Sequence, residues 1–505
     1  MLKRHLGDRA FFGRVSAIAL PIIIQNLITN FVSLLDNIMV GRLSTAEIGA
    51  VAIINNNLLF IFILCLFGVS AGAGIFCTQF HGSGDHTGVR YTFRFRILVC
   101  LGLALISIGI FYFGGRSMIG LYLQGDGDPA VAEATMQHGQ NYLRVMLWGL
   151  IPFALTNAYA STLRETGYPT LPMIASIIAT VVNLVFNYIL IFGHFGAPAL
   201  GVIGAAIATV IARFVEFFIV AGWTHLNPEK NPFIRGAYRS FYIPGSLLGK
   251  LTVKAMLLMF NEGMWSFGMA VLNQCYSVCG LNVTPALSIT YTLCDLTAVL
   301  FRSLGSTVGI ILGQMMGGGR SREELQDTYK KLSNLCVISG TVVCGATIAV
   351  SGFFPQIYNT TPDVRNLARW FIVISAFNMP LQAYVFPVFF TLRAGGKAFT
   401  TILFDSMSAW VGCIPLAFIL CNFTGSSVLL VYALCNSLDL IRLVMNGKEM
   451  VMPLPRERIT QNFLVGQNLL YEGSVYTIDR MDALAGRMHI RHATGGRNNA
   501  PYQYL

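Results

Sequence analysis

Two carboxylates lie inside apolar stretches of helix length, Asp36 at the end of LPIIIQNLITNFVSLLD and Glu262 in FNEGMW. An Asp near the centre of a membrane helix costs roughly 2.5 to 3.5 kcal/mol on insertion scales, so a chain that keeps one there needs a partner or a task for it. Low dielectric disfavours the ionised form of a carboxyl group, which can then exchange a proton near neutral pH or hold a cation by pairing. Both residues also admit plainer readings. Asp36 is followed by Arg42, Ser44 and Thr45 and could mark the water boundary, and Glu262 could bond a neighbouring helix, although Trp265 beside it can supply an aromatic cavity wall. Asn183 and Asn187, in VVNLVFNYILIFG, are four apart and share a helix face. Their amides can ligate Na+, hydrogen-bond a protonated Asp36, or simply tie helices together. Asn57 is a weaker candidate of the same kind, among the adjacent amides Asn55, Asn56 and Asn57. Asp295 and Arg302, seven apart, can neutralise each other on one face, as can Arg213 and Glu216; either pair could be structural or contact substrate. Asp405 sits near the start of an apolar run, where boundary and cavity readings are equally open.

The stretches that must position these groups read as membrane spans. Hydrophobic residues make up 54% of the 505 and charged ones 11%, with a mean hydropathy of +0.62, against roughly 25% charged in soluble domains. The net charge of +11 lies mainly in short loops and on no basic face interleaved with aromatics, so nucleic acid is not an expected partner. Runs of about 20 apolar residues predict twelve helices over 13–37, 47–77, 94–114, 139–161, 170–193, 199–222, 251–275, 285–314, 332–354, 368–390, 399–421 and 425–445. The first run is too long for a cleaved signal and lacks a small-residue cleavage site. Basic residues cluster at the N-terminus and in alternate loops, among them Arg90, Arg94, Arg96, Arg164, Arg320 and Arg393, which predicts that both termini are cytoplasmic. The eleven cysteines fall in or beside apolar runs without a CxxC pair and read as small buried hydrophobes.

An internal repeat organises the spans. GIFCTQFHGSG from Gly74 matches GIILGQMMGGG from Gly309, pairing Gln79 with Gln314 at an offset of 235. Thr162-Leu163-Arg164 with Gly167 recurs as Thr391-Leu392-Arg393 with Gly396, at an offset of 229. Two sets of six helices in the same orientation imply a pseudo-twofold axis along the membrane normal and a cleft between bundles. The expected fold class is an all-α polytopic membrane protein with twelve transmembrane helices in two parallel-repeat six-helix bundles. The expected divisions are a cytoplasmic N-terminus 1–12, an N-lobe 13–222, a cytoplasmic linker 223–250, a C-lobe 251–446 and a polar tail 447–505 without regular structure or an assignable role.

Soluble-enzyme signatures are missing. Gly245-Ser246-Leu247-Leu248-Gly249-Lys250 is one residue short of a Walker A loop and is followed by Leu251 in place of Ser or Thr. The spans contain no His pair, and neither HExxH nor GxSxG occurs. An enzyme is therefore not expected, and no cofactor beyond a coupling ion.

With two sets of six spans, Pro21 and Asp36 fifteen residues apart, VVNLVFNYILIFG, GxxxxQxxGxG in both halves and NEGMW in span seven, the chain resembles the multidrug and toxic compound extrusion (MATE) transporters, in particular bacterial NorM-like ones, over about residues 13–446. The resemblance implies a V-shaped pair of bundles in a bacterial cytoplasmic membrane that exports cationic, amphipathic drugs or metabolites in exchange for H+ or Na+ by alternating access. It implies a small-molecule cationic substrate, membrane lipid as surroundings and a monomer. Pro21 matches the bending proline of helix one, Asp36 the N-lobe coupling carboxylate, Asn183 its amide partner, and Asn187 a position where some members have Asp. Na+ would then be held at Asp36, Asn183 and Asn187. Glu262 matches the helix-seven Glu that other members use for cation binding, and Gln382 is the polar residue nearest to where those members place a helix-ten carboxylate. Asn57, Trp265, Asp295, Arg302, Gln382 and Asp405 are the expected substrate-cavity residues. The alternative is a lipid or lipid-linked oligosaccharide flippase of the same superfamily, which would want a cavity lined with Arg and Lys for pyrophosphate.

Overall fold

The structure is a computed structural model that describes residues 7–41, 43–123, 129–280, 282–358, 360–424 and 427–437, and three strands within 468–492. Arg42 and most of the tail lie outside the described residues.

Among the described residues twelve helical segments follow one another. They are α1 (Arg9–Val40), α2 (Thr45–Ile53, a π-helical turn Ile54–Leu59, then Phe60–Gly82), α3 (His86–Gly120), α4 (Pro129–Glu165), α5 (Thr170–Phe192) and α6 (Val202–Leu226). The second half holds α7 (Gly245–Ser277), α8 (Val283–Gly317), α9 (Arg322–Ser351), α10 (Pro362–Ala394), α11 (Ala398–Ser408, a π-helical turn Ala409–Cys413, then Ile414–Phe423) and α12 (Val428–Ser437). Ten of them are long and apolar enough to cross a membrane; α4 and the short described part of α12 complete the twelve. Local chemistry sets several starts. Ser44 and Glu47 form a capping box at α2, Asp85 accepts from the first turn of α3, and Ser321 and Thr361 cap α9 and α10. Pro21 lies inside α1 and cannot donate to the carbonyl of Ala17, which leaves one rung of that helix open. Large apolar side chains such as Phe113, Trp148, Phe218 and Val342 are exposed on the helix surfaces, as a lipid-facing exterior requires.

The halves meet on one side of the membrane. Val15, Ile18 and Ile22 of α1 pack on Leu304, Val308 and Ile311 of α8. Gly68 and Gly72 of α2 lie so close to Met259 and Ala255 of α7 that a Cβ would overlap the α7 backbone. The two repeat motifs lock together here. Gln79 Nε2 donates to Ala394 O at the end of α10, and Gln314 Nε2 donates to Glu165 O at the end of α4, each at 2.7 Å. These carbonyls belong to last turns, which lack intrahelical donors. Gly82 faces the Gln314 carbonyl and Gly317 faces that of Gln79 with no room for a side chain. Each of these contacts lies where α1 and α7 begin and α2 and α8 end.

Three features depart from the sequence expectations. Arg96 does not lie in a loop. Because α3 begins at His86, its fully buried guanidinium pairs with Glu165 at 2.6 Å and also bonds Thr162 and Ser70 O. The segment between α6 and α7 is docked, with Phe233, Ile234 and Ala237 buried against α3 and α4 and Arg94 donating to Gly236, Ala237 and Tyr242 carbonyls. The tail, a separate unit, holds an antiparallel sheet of β1 (Asn468–Tyr471), β2 (Ser474–Asp482) and β3 (Arg487–His492) in the order β1-β2-β3. Its register shifts between Ile478 and Arg480. Alternating residues such as Val475-Tyr476-Thr477-Ile478 carry the strand pattern that helix-period reading passes over.

Candidate coupling site and cavities

Asp36, Asn183 and Asn187 come together. Asn187 Nδ2 donates to Asp36 Oδ1 at 2.8 Å, so the α5 face holding both amides is turned toward the second half of α1. The Asn183 amide has two orientations, which differ by exchange of its oxygen and nitrogen. With its amide nitrogen toward α1 it donates to Asp36 Oδ1 at 2.9 Å and Oδ2 at 3.2 Å. With its oxygen there, it accepts from Asn187 Nδ2 at 3.1 Å and donates to Thr209 at 3.3 Å, and the Asp36 contact then calls for a proton on the carboxyl. Asn187 Oδ1 is buried without a partner. Among the described residues Asp36 has no ion pair.

Asp36 and Asn183 line a cavity of about 420 Å³ between helices of the first half, with Phe67 and Phe153 as aromatic wall. Arg213 also lines it, pairs with Glu216 at 3.4 Å and stacks over Phe153 at 4.3 Å. Gln25 Oε1 and Thr156 Oγ1, on the same wall, are buried without partners.

Glu262 is held differently. Arg393 of α10 donates to it at 2.8 Å, while the same guanidinium stacks over Phe389 at 3.9 Å. The helix-ten counterpart of Glu262 is thus an arginine. Glu262, Trp265, Arg302, Gln382 and Asp405 line one cavity of about 310 Å³, and Asp405 accepts from Asn261 at 2.8 Å. Trp265, Asp295, Arg302 and Gln382 line a neighbouring one of about 370 Å³, where Asp295 and Arg302 pair at 3.2 Å. Asn57 is not among the residues lining these cavities, although Asn55, two residues earlier, bonds Tyr142. Sequence reasoning missed Arg164, which lines both the 420 Å³ cavity and one of about 230 Å³ between the halves. As an arginine closing an apolar run it looked like a loop residue; its recurrence as Arg393 was the available signal.

Residues 21–189 match the MatE family model. The chain is 24% identical over 429 residues to "Probable multidrug resistance protein YoeA" of Bacillus subtilis, covering 82% of this chain and 88% of that protein. It is likewise 24% identical to "Probable multidrug resistance protein NorM" of Oceanobacillus iheyensis, covering 81% and 89%. Its fold is that of a MATE crystallised in complex with MaL6, with a TM-score of 0.78 at 16% identity over 91% of this chain and 98% of that one. An outward-facing multidrug resistance MATE family transporter of the MOP superfamily matches equally, at 0.78 over 89% and 97%. Family model, relatives and fold agree with the resemblance to NorM-like MATE transporters.

Proposed function

We propose, from the premise of a NorM-like MATE transporter, that this chain is an antiporter exporting cationic, amphipathic compounds in exchange for an inward-moving cation, with Asp36 as the coupling group. The observation that carries the reading is a carboxyl group without an ion pair among the described residues, held by amides on the wall of a drug-sized cavity. A proton is the first reading for the coupling ion, because a carboxyl group on a cavity wall with no ion pair among the described residues can exchange one. Na+ is the second reading, favoured by the unpartnered Asn187 Oδ1 beside the Asp36 carboxylate. Glu262 is the lesser candidate, since Arg393 already neutralises it.

In this reading a cationic substrate and the coupling ion compete for one negative charge. Filling Asp36 with a proton removes the attraction for substrate and changes the bonds between α1 and α5, and the open rung at Pro21 gives α1 a place to bend. The closed contacts sit where α1 and α7 begin, which is the cytoplasmic side if both termini are cytoplasmic, so the arrangement suits an outward-facing state of an alternating-access cycle.

Competition is measurable in detergent. Affinity for a cationic dye should fall as pH drops through the titration of Asp36, or as Na+ is added if that is the ion, and Asp36→Asn should bind dye weakly and without either dependence. Unchanged pH and Na+ dependence in Asp36→Asn would remove Asp36 from coupling.

A further inference from the structure

α7 and α11 run side by side and in the same sense. Their contacts advance together along both helices, from Asn261 Nδ2 donating to Asp405 Oδ2 at 2.8 Å, through Trp410 Nε1 donating to Met264 O at 3.0 Å, to Cys279 Sγ beside Cys421 Sγ at 2.6 Å. Cys279 stands in the turn that follows Ser277, the last residue of α7, and Cys421 in the last turn of α11. The two are 142 residues apart, so no local spacing pairs them, and as small side chains beside apolar runs they read as packing. Both are half-buried. Three further cysteines, Cys275, Cys413 and Cys435, belong to the same apolar cluster. Of these, Cys413 and Cys435 each turn the thiol toward the other's carbonyl at 3.6 Å.

We infer that Cys279 and Cys421 are a site of oxidation, joined as a disulfide that ties the end of α7 to the end of α11. Disulfides persist in oxidising compartments. α7 begins among the closed contacts between the halves, so its end and that of the parallel α11 lie on the opposite side, which is extracytoplasmic if both termini are cytoplasmic. The oxidant is a disulfide, carried by a thiol-exchange protein or a small molecule. One cysteine thiolate attacks it and releases the first oxidant thiol; the other then attacks the mixed disulfide, which forms the Cys279–Cys421 bond and releases the second. Two electrons and two protons thus pass from the protein thiols to the sulfurs of the oxidant. The link has a task in this helix. The π-helical turn Ala409–Cys413 interrupts the regular ladder of α11 between Asp405 and the outer segment Ile414–Phe423. A covalent bond at Cys421 holds that outer segment to α7 beyond the interruption. Both cysteines belong to the second half, so the link does not bridge the cleft.

The test uses the full chain expressed in a bacterial inner membrane that faces an oxidising periplasm. Free thiols are blocked with N-ethylmaleimide in denaturant before any reductant is added, and the peptides are mapped by mass spectrometry. Wild type should give a Cys279–Cys421 linked peptide that dithiothreitol removes. Of its eleven cysteines the two in the link should escape the maleimide and the other nine should carry it. In Cys279→Ser, Cys421 should be blocked as a free thiol. Eleven blocked cysteines in wild type, or a link between other cysteines, would overturn the inference. A link that forms only after copper–phenanthroline is added would show proximity alone and overturn it too. Thermal unfolding in detergent gives a second readout, because a cross-link restricts the unfolded chain. Cys279→Ser, Cys421→Ser and the double variant should unfold at one temperature below that of wild type, and dithiothreitol should bring wild type down to it without shifting the variants. Losses that add in the double variant and ignore dithiothreitol would reduce the two side chains to packing and overturn the link. Neither readout involves dye or ion movement, so the export reading stands or falls separately.

Discussion

Arg96 and Asp36 are both charges within apolar helices, and their surroundings separate structure from chemistry. Arg96 is fully buried, paired with Glu165 at 2.6 Å and bonded to Thr162 and Ser70 O. Removing one partner of a buried pair leaves an uncompensated charge, so Arg96→Met should lower stability by about 3 to 5 kcal/mol. Adding Glu165→Leu should recover most of that. Thermal unfolding in detergent, followed by tryptophan fluorescence, checks both; a double variant no more stable than the single would mean that the helix packing rather than the pair is at stake. Asp36 has amides in place of a cation. Sequence spacing found the Asp36, Asn183 and Asn187 group because a carboxylate in an apolar run and two amides four apart are each visible without neighbours. Arg96 and Arg164 escaped it. A helix that continues past its apolar run carries its end charges into the bundle, and hydropathy cannot tell such a residue from a loop residue.

Under the proposed alternating-access cycle, contacts that join the elements would have to break for the other side to open. Gln79 and Gln314 each cap the end of a helix from the opposite half, and water can replace such a bond at little cost when the halves separate. Gln79→Ala with Gln314→Ala should remove about 1 to 3 kcal/mol from the closed arrangement, at 0.5 to 1.5 kcal/mol for each bond. Spin labels at Thr87 and Glu323, both exposed at the starts of α3 and α9, should then report a larger share of long distances by double electron–electron resonance. A distance distribution identical to wild type would make these bonds incidental. The repeat of glycines and glutamines was plain in the sequence; that its two copies would meet was not, because a repeat gives equivalence without giving contact. The docked segment before α7 escaped because its polar composition resembles a free linker, while its burial depends on Arg94 from a distant helix.

For the whole molecule, the two halves share a plan and divide its use. In the first half the arginine of the repeat faces open cavities and the carboxylate of α1 is held by amides; in the second, arginine and carboxylate cancel each other. Coupling should accordingly reside in the first half. The most direct test is efflux of a cationic dye from proteoliposomes under an imposed pH gradient or an imposed Na+ gradient, comparing wild type, Asp36→Asn and Glu262→Gln. Wild type should respond to one gradient, Asp36→Asn should lose that response, and Glu262→Gln should keep a substantial part of it. Loss of the response in Glu262→Gln with Asp36→Asn intact would place coupling in the second half and contradict the account.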